Sequence, residues 1–272
     1  MEKRRSVLVK TKINEIIRVI EILAPLELAE DWDNVGLLSG DPENATDKVL
    51  LTLDITETAY KIALEAKTGL IVSHHPLIYD PIRRFDSDDP QIRLVTETIR
   101  SDIAIYAAHT NLDSCKGGVS DSLAEILELD VIDGGSNELT SHGFLSLRKC
   151  ITRSKETLFS MYSGICEKLK IPGCFTNFDT NREIRIVSVS GGSFSSEWID
   201  EVVSRKTDCV ITGEMKHHDM LRLAGYGIGV IAAGHAASER VVLDSLADHI
   251  TQYLPDLTIA VYDGLDYNKV IS

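Results

Sequence analysis

Six of the eight histidines in this chain stand where an apolar run ends. His74 and His75 follow LIV in GLIVSHHPLIYD, and His109 follows AIYAA in DIAIYAAHTNLD. His217 and His218 come shortly after CVIT in DCVITGEMKHHDM, and His235 follows VIAA in GIGVIAAGHAASER. Asp113 and Glu239 lie four residues beyond His109 and His235. Imidazole is the commonest side-chain metal ligand. A mixed histidine and carboxylate set suits zinc, manganese, iron or nickel better than calcium or magnesium. In open α/β sheets such groups converge in the crevice at the carboxyl ends of the strands. The set His74, His75, Asp113, His235 and Glu239 therefore reads as metal-binding. His109 and His218 are best placed to orient ligands rather than to bind. His217 is expected to be exposed, and His142 and His249 to be hydrogen-bonded loop residues.

The elements that must position these groups are legible from periodicity. Apolar residues at Ile13, Ile16, Ile17, Ile20 and Leu23 predict an amphipathic helix over 12–28, interrupted at Pro25. The segment EDWDNVGLLSGDPENATD reads as turns, with Trp32 buried and Asp33 and Asn34 bonded to backbone. KVLLTLDIT, LIVSHH and IAIYAA read as buried strands. TETAYKIALEAKTG, capped by Thr56 and stopped by Gly69, and PQIRLVTETIRSD read as the helices between them. NLDSCKGG reads as a loop carrying Asp113, followed by a helix in VSDSLAEILELD. After Asp130 come short alternating strands in DGGSNELTSHGFLSLRKCIT and a helix in SKETLFSMYSGICEKLK. A second alternation follows: EIRIVSV, DCVITG, IGVIAA and LTIAVY as strands, with SSEWIDEVVSRK, HHDMLRLAGYG and SERVVLDSLADHITQYLP as helices. Near-continuous apolar strands alternating with helices predict an α/β fold with mostly parallel sheets. The expected halves are 1–130 and 131–272, closely packed, with the later part of the second completing the metal site.

Within these elements, Gly234 permits a sharp strand-to-helix turn, which puts His235 and Glu239 on one helical face. His74 and His75 would point to opposite faces of an extended strand, so each would address a different metal. Two metals roughly 3.5–4 Å apart make a hydrolytic centre. Glu214, just past a strand in TGEMKHH, could act as an acid/base or cap the next helix. VSVSGGSFSS could bring backbone N–H groups to a phosphate, but without a GxGxxG or a Walker lysine it reads better as a tight turn.

Composition narrows the function classes. The formal net charge of −14 argues against a general nucleic-acid binder. Near the motifs only Lys216, Arg222 and Arg240 are positive. Five cysteines without a CxxC favour free thiols in a reducing compartment, with Cys209 a small buried hydrophobe. No apolar stretch approaches a membrane span, and MEKRRSVLVKTK makes a weak transit peptide. The expectation is a cytoplasmic protein, with the nucleus or mitochondrion as alternatives, and no membrane partner.

The motifs WDNVGLL (32–38), SHHPLIY (73–79), HTNLD (109–113), GGS (191–193), TGEMKHHD (212–219) and GHAASE (234–239) resemble the Nif-three-like family (NGG-interacting factor, also known as GTP cyclohydrolase I type-two homologues). The resemblance implies two interleaved α/β/α domains with mixed, mostly parallel sheets. It implies a dinuclear centre held by His74, His75, Asp113, His235 and Glu239, with Glu239 or Asp113 bridging. It also implies a ring-like homohexamer, a trimer of dimers. The family often has an acidic residue two before the glycine of GHxxxE, where this chain has Ala232. The implied function is a dinuclear-metal-dependent hydrolase of a small molecule, with opening of the guanine ring of GTP as the named reaction. Glu214 and His218 would then shuttle protons. The alternative is a metal-handling factor, or one that binds proteins such as transcriptional regulators.

Overall fold

A computed structural model describes residues 10–133, 146–177 and 181–264. His142 and the portion 134–145 of the expected alternating strands lie outside the described residues.

The described chain opens with β1 (Thr11–Lys12) and α1 (Ile13–Leu23), whose buried face is Ile13, Ile16, Val19 and Ile20. It stops just before Pro25, as the residue preceding a proline disfavours helix, and a single 3-10 turn follows at Leu26–Leu28. Next come β2 (Gly36–Ser39), β3 (Ala45–Thr46), β4 (Lys48–Thr52), α2 (Glu57–Ala66), β5 (Leu70–Ser73), α3 (Pro90–Arg100) and β6 (Ala104–Ala107). Thr56 caps α2 by accepting from the Ala59 N–H at 3.1 Å. The helix ends earlier than Gly69, because Lys67 already turns left-handed at φ 57°. Asp89 caps α3, with Pro90 in its first turn.

Beyond β6 run α4 (Thr110–Ser114), α5 (Val119–Ile126), β7 (Leu129–Asp133), β8 (Arg148–Thr157), α6 (Leu158–Lys168), β9 (Phe175–Thr176) and β10 (Glu183–Val189). Then come α7 (Ile199–Ser204), β11 (Cys209–Thr212), α8 (His217–Gly225), β12 (Gly229–Ala232), α9 (His235–Glu239), α10 (Val242–Tyr253) and β13 (Thr258–Tyr262).

Four local readings change. The turn-rich segment after Trp32 holds a strand, β2, because its four residues find an antiparallel partner in β6. Asp113 lies in the short helix α4 rather than in a loop. Strand β8 continues to Thr157, and the helix starts only where Thr157 and Ser160 form a reciprocal cap. His74 and His75 lie just past the last residue of β5, and their rings come together with centroids 4.9 Å apart.

The chain forms two compact units. One takes Leu246–Gly264 together with the chain up to Asn111, and the other takes Leu112–Ser245. The first cut thus falls after Asn111 rather than at 130, and the chain returns to the first unit at its end, where the last strand, β13, pairs in parallel with β4. The first unit has a five-stranded sheet in the order β13-β4-β5-β6-β2, parallel except for β2, beside a small β1-β3 pair. Leu50, Ile71 and Ile105 face a core shared with Ala59 and Ala63 of α2 and Val95 of α3. The alternate residues point the other way, where the Tyr106 hydroxyl donates to Glu21 of α1 at 3.4 Å. Helices therefore cover both faces, which is why the strands are apolar throughout.

The second unit repeats the logic. Its six-stranded sheet runs β7-β8-β10-β11-β12-β9, with β10, β11 and β12 mutually parallel. Val187, Val189, Cys209, Ile211 and Ile231 pack with Leu123 of α5 and Leu158, Met161 and Ile165 of α6. Val210 and Val230 pack on the opposite side with Ile199 and Val202 of α7 and Leu223 of α8. Each such aliphatic side chain contributes about 1.5–3 kcal/mol when fully buried. Both sheets present the ends of parallel strands, where the candidate ligands lie.

Candidate metal centre

In the first unit, strand register alone brings the histidines together. Thr52 pairs with Ser73, and Ser73 with Ala107, at the last rungs of β4, β5 and β6. Two residues further along each strand stand Asp54, His75 and His109. They form one row across neighbours about 4.8 Å apart. The ladder extends into this row: the His74 and His75 N–H groups donate to Thr52 O and Leu53 O at 3.0 and 2.9 Å.

The three rings pack closely, with centroids 4.9 Å (His74–His75), 5.2 Å (His74–His109) and 5.4 Å (His75–His109) apart. One ligand nitrogen from each lies within 4.8 Å of the others, close enough to hold a metal ion. Each Nδ1 meets an oxygen: His74 at Ala108 O (2.8 Å), His75 at Asp54 Oδ1 (2.9 Å) and His109 at Asp33 Oδ1 (2.9 Å). A carbonyl can only accept, so His74 carries its proton on Nδ1. Carboxylate partners favour the same tautomer in His75 and His109. The lone pair then sits on Nε2 in all three, the arrangement that oriented metal-ligating histidines use.

Asp33 is fixed more firmly than a turn residue needs to be. It accepts from Thr110 N–H at 3.0 Å and from Thr110 Oγ1 at 2.5 Å as well as from His109. Burial opposes its charge, but the hydrogen bonds from His109 and Thr110 prevail and lower its pKa from 3.8 to about 2. The placement follows from β2, whose Gly36 opposes Ala107, so the residues before Gly36 run back alongside His109 and Thr110.

In the second unit three parallel strands end in glycine-bearing turns. Gly234 has φ +98°, a region open to glycine, and its N–H donates to Gly213 O at 2.7 Å. The chain turns there directly into α9. His235 and Glu239 consequently share a helical face, with Nε2 and Oε1 3.1 Å apart. His235 Nδ1 stands 3.2 Å from Glu214 Oε1, which also accepts from the Ser193 hydroxyl at 2.5 Å. The Ser193 bond first, and then the His235 contact, hold the Glu214 pKa below the usual carboxylate range. Glu239 is buried to 3% exposure.

The GGS turn is shaped around this group. Its Gly191 and Gly192 N–H groups donate to Ser120 Oγ (3.2 Å) and Ser238 Oγ (3.0 Å). Those donors serve the protein itself, so the tight-turn reading holds over the phosphate one.

The other sequence candidates separate. The His218 side chain is 74% exposed and lies 3.5 Å from Asp219, and His217 beside it is exposed at the start of α8. The two His-His pairs are thus not equivalent. His249 lies on α10, not in a loop, and its Nε2 bonds Val19 O at 2.9 Å. Arg222 pairs with Asp200 at 3.0 Å and Arg240 donates to Leu169 O. Trp32, expected to be buried, is 57% exposed, because the hydrogen bonds of Asp33 and Asn34 fix the backbone and leave the indole outside. Sequence reasoning missed Asp54 and the role of Asp33. The available signal was a carboxylate just past a strand that neighbours a histidine-bearing one. All five cysteines are free thiols, and Cys209 is fully buried.

Among the described residues no helix is long and apolar enough to cross a membrane. Residues 11–264 match the family model Duf34/NIF3 (NGG1p interacting factor 3). The chain is 32% identical over 246 residues to the "GTP cyclohydrolase 1 type 2 homolog" of Clostridium perfringens (strain 13 / Type A), covering 89% of this chain and 92% of that one. The structure of reduced HcgD from Methanocaldococcus jannaschii superposes with a TM-score of 0.76 at 30% identity, over 96% of this chain and 100% of that one. A Bacillus cereus protein related to NIF3 matches in fold, with a TM-score of 0.86 at 19% identity, over 97% and 99% of the two chains.

Proposed function

The chain belongs to the Duf34/NIF3 family, and on that premise we propose that it is a dinuclear-metal-dependent hydrolase acting on a small, nucleotide-class molecule. The observation that carries the reading is the shared orientation of His74, His75 and His109, each with Nδ1 on an oxygen. A core or surface histidine needs no such common arrangement, whereas a metal ligand does. The donor chemistry of the second unit fits as well, with Glu239 and His235 one helical turn apart.

The ligand set in this reading is His74, His75, Asp113, His235 and Glu239. His109, expected to orient them, instead has its Nδ1 on Asp33 and its Nε2 beside those of His74 and His75, which makes it a further candidate ligand. Zinc, iron, manganese and nickel all suit these donors. When bound, a metal pair would lower the pKa of a coordinated water toward neutrality and polarise the bond under attack. The chain's own residues do the positioning. Asp54 and Asp33 fix two imidazoles, and the Ala108 carbonyl fixes a third. Glu214, ionised and bonded to Ser193, aims His235. Of the two tentative proton carriers, Glu214 touches a candidate ligand, whereas His218 turns to Asp219.

The name of the Clostridium perfringens relative makes GTP the first substrate to try. Assembly as a homohexamer belongs to the same reading and is checked by analytical ultracentrifugation. The decisive experiment measures metal content after reconstitution with zinc, manganese, iron or nickel, and then turnover of GTP and other phosphoesters. Wild type is compared with His75→Ala and Glu239→Gln. Both variants are expected to lose metal and turnover together. Activity surviving both substitutions would sink the hydrolase. Tight metal binding without turnover would favour a metal-handling role, and failure to take up any metal would remove the site.

A further inference from the structure

We propose that Trp32 and Tyr79 form a stacking wall for a planar ring of the nucleobase class, set beside the histidine cluster. The proposal deepens the reading of that cluster as the reaction site and rests on it. Trp32 is 57% exposed and Tyr79 50% exposed, yet their rings lie 5.8 Å apart at 40°. The indole also meets the His109 imidazole edge-on at 6.0 Å. Scattered exposed aromatics are ordinary. Two that touch each other, one of them against a candidate metal-site histidine, make an apolar face at the place where a substrate would be held.

The backbone beneath them is braced while the rings are left outside. Trp32 precedes Asp33, which is tied to His109 and Thr110. Tyr79 follows Ile78, whose carbonyl accepts from the Asn34 amide at 2.5 Å. Two residues before Trp32, the Glu30 N–H donates to Thr110 Oγ1 at 2.9 Å. The backbone that carries the two rings is therefore fixed before a ligand arrives, which lowers the ordering cost of binding. A flat heteroaromatic ring matches it in two ways. Its face stacks on indole and phenol, and its ring nitrogens and carbonyls offer lone pairs toward the neighbouring centre. Stacking tolerates any base, so the wall selects a class of ring rather than one nucleotide.

The chain has two tryptophans. Trp198 packs edge-on against Phe194 in the second unit, with centroids 5.5 Å apart. A Trp198→Phe protein, incubated with metal and its metal content measured, therefore reports Trp32 as its one tryptophan by fluorescence. Adenosine, guanosine, cytidine and uridine are each expected to quench it saturably, while ribose is not. By equilibrium dialysis, Trp32→Ala and Tyr79→Ala should weaken nucleoside binding roughly tenfold or more, with metal content unchanged, and Trp32→Phe should restore most of it. Absence of binding by all four nucleosides, or equal binding by the alanine variants, overturns the wall. So does a change in sedimentation on Trp32→Ala, which would make the ring pair a contact between copies. If nucleosides bind as expected but no metal is taken up, the hydrolase reading fails and the wall stands.

Discussion

A β-carbon on Gly192 would lie 2.2 Å from Glu239 Oε1. The same glycine has φ +58°, in the left-handed region that costs an L side chain roughly 1–2 kcal/mol. Both constraints come from one turn, so the GGS segment is the wall against which the buried carboxylate of α9 is set. Gly192→Ala is expected to lower stability by about 2 kcal/mol, seen as a fall in thermal midpoint, and to displace Glu239. Metal uptake should fall further than in a control variant of equal stability elsewhere in the second unit. An alanine variant with wild-type metal affinity would show that the turn does not position the carboxylate.

Asp54 tests orientation separately from ligation. Its Oδ1 lies 2.9 Å from His75 Nδ1, and its side chain is half exposed. Removing the charge therefore costs the fold little. Asp54→Asn keeps the shape but weakens the acceptor that fixes the His75 tautomer, and such changes typically reduce metal affinity about 10–100-fold. Competition with a chelator should show that loss, with the urea midpoint moving by less than about 0.5 kcal/mol equivalent. Unchanged chelator competition would mean that the His75–Asp54 contact does not tune a metal ligand.

The strands that carry His74, His75, His109 and His235 were legible because each is an apolar run closed by polar residues, and both sheets are covered on two faces. What the sequence hid is relational. Nothing in WDNVGLL says that Asp33 will meet His109, because that contact depends on β2 pairing antiparallel to β6. Trp32 reads as core from its type alone, and only the bracing of its neighbours leaves it outside. Asp54 gains meaning from the rung that links Thr52 to Ser73. The final strand reads correctly as a strand, but its partner β4 lies some two hundred residues earlier, and local periodicity is blind to such returns.

Burial gives the second unit an alkaline limit. The Cys150 thiol is pushed up from 9.0 to about 12 by burial, and that of Cys209 is pushed higher still. Because the folded pKa is raised, the folded chain keeps protons that the unfolded chain releases. This stabilisation is full below about pH 9 and is lost as the pH climbs toward 12. At pH 10 the loss is about 1 kcal/mol for each thiol. Urea midpoints should therefore fall between pH 8 and pH 10, and the fall should shrink in Cys209→Ala. A thiol reagent should label Cys166 and Cys174, which are partly exposed with sulfurs 3.7 Å apart, before Cys115, Cys150 and Cys209. Early labelling of Cys209 would contradict the burial of β11.

Arg148 and Asp121 should behave as a unit. The guanidinium has no exposed surface and lies 2.8 Å from Asp121 Oδ1, while its Nη2 donates to Cys115 O at 2.6 Å. Asp121 in turn accepts from the Gly117 N–H at 2.6 Å, so the pair ties β8 to the segment joining α4 to α5. Removing one member of a buried pair strands the other charge and costs about 3–5 kcal/mol. The 18% exposure of the Asp121 side chain puts Asp121→Ala at the lower end of that range. Replacing both, as Arg148→Met with Asp121→Ala, removes the buried guanidinium along with the pair. The double variant should recover at least about 1 kcal/mol relative to Asp121→Ala alone, giving a favourable coupling in a double-mutant cycle. Since Asp113 sits at the end of the segment so braced, Asp121→Ala should also weaken metal uptake, and the double variant should not restore it. Additive single effects would show that the two groups stabilise the fold independently.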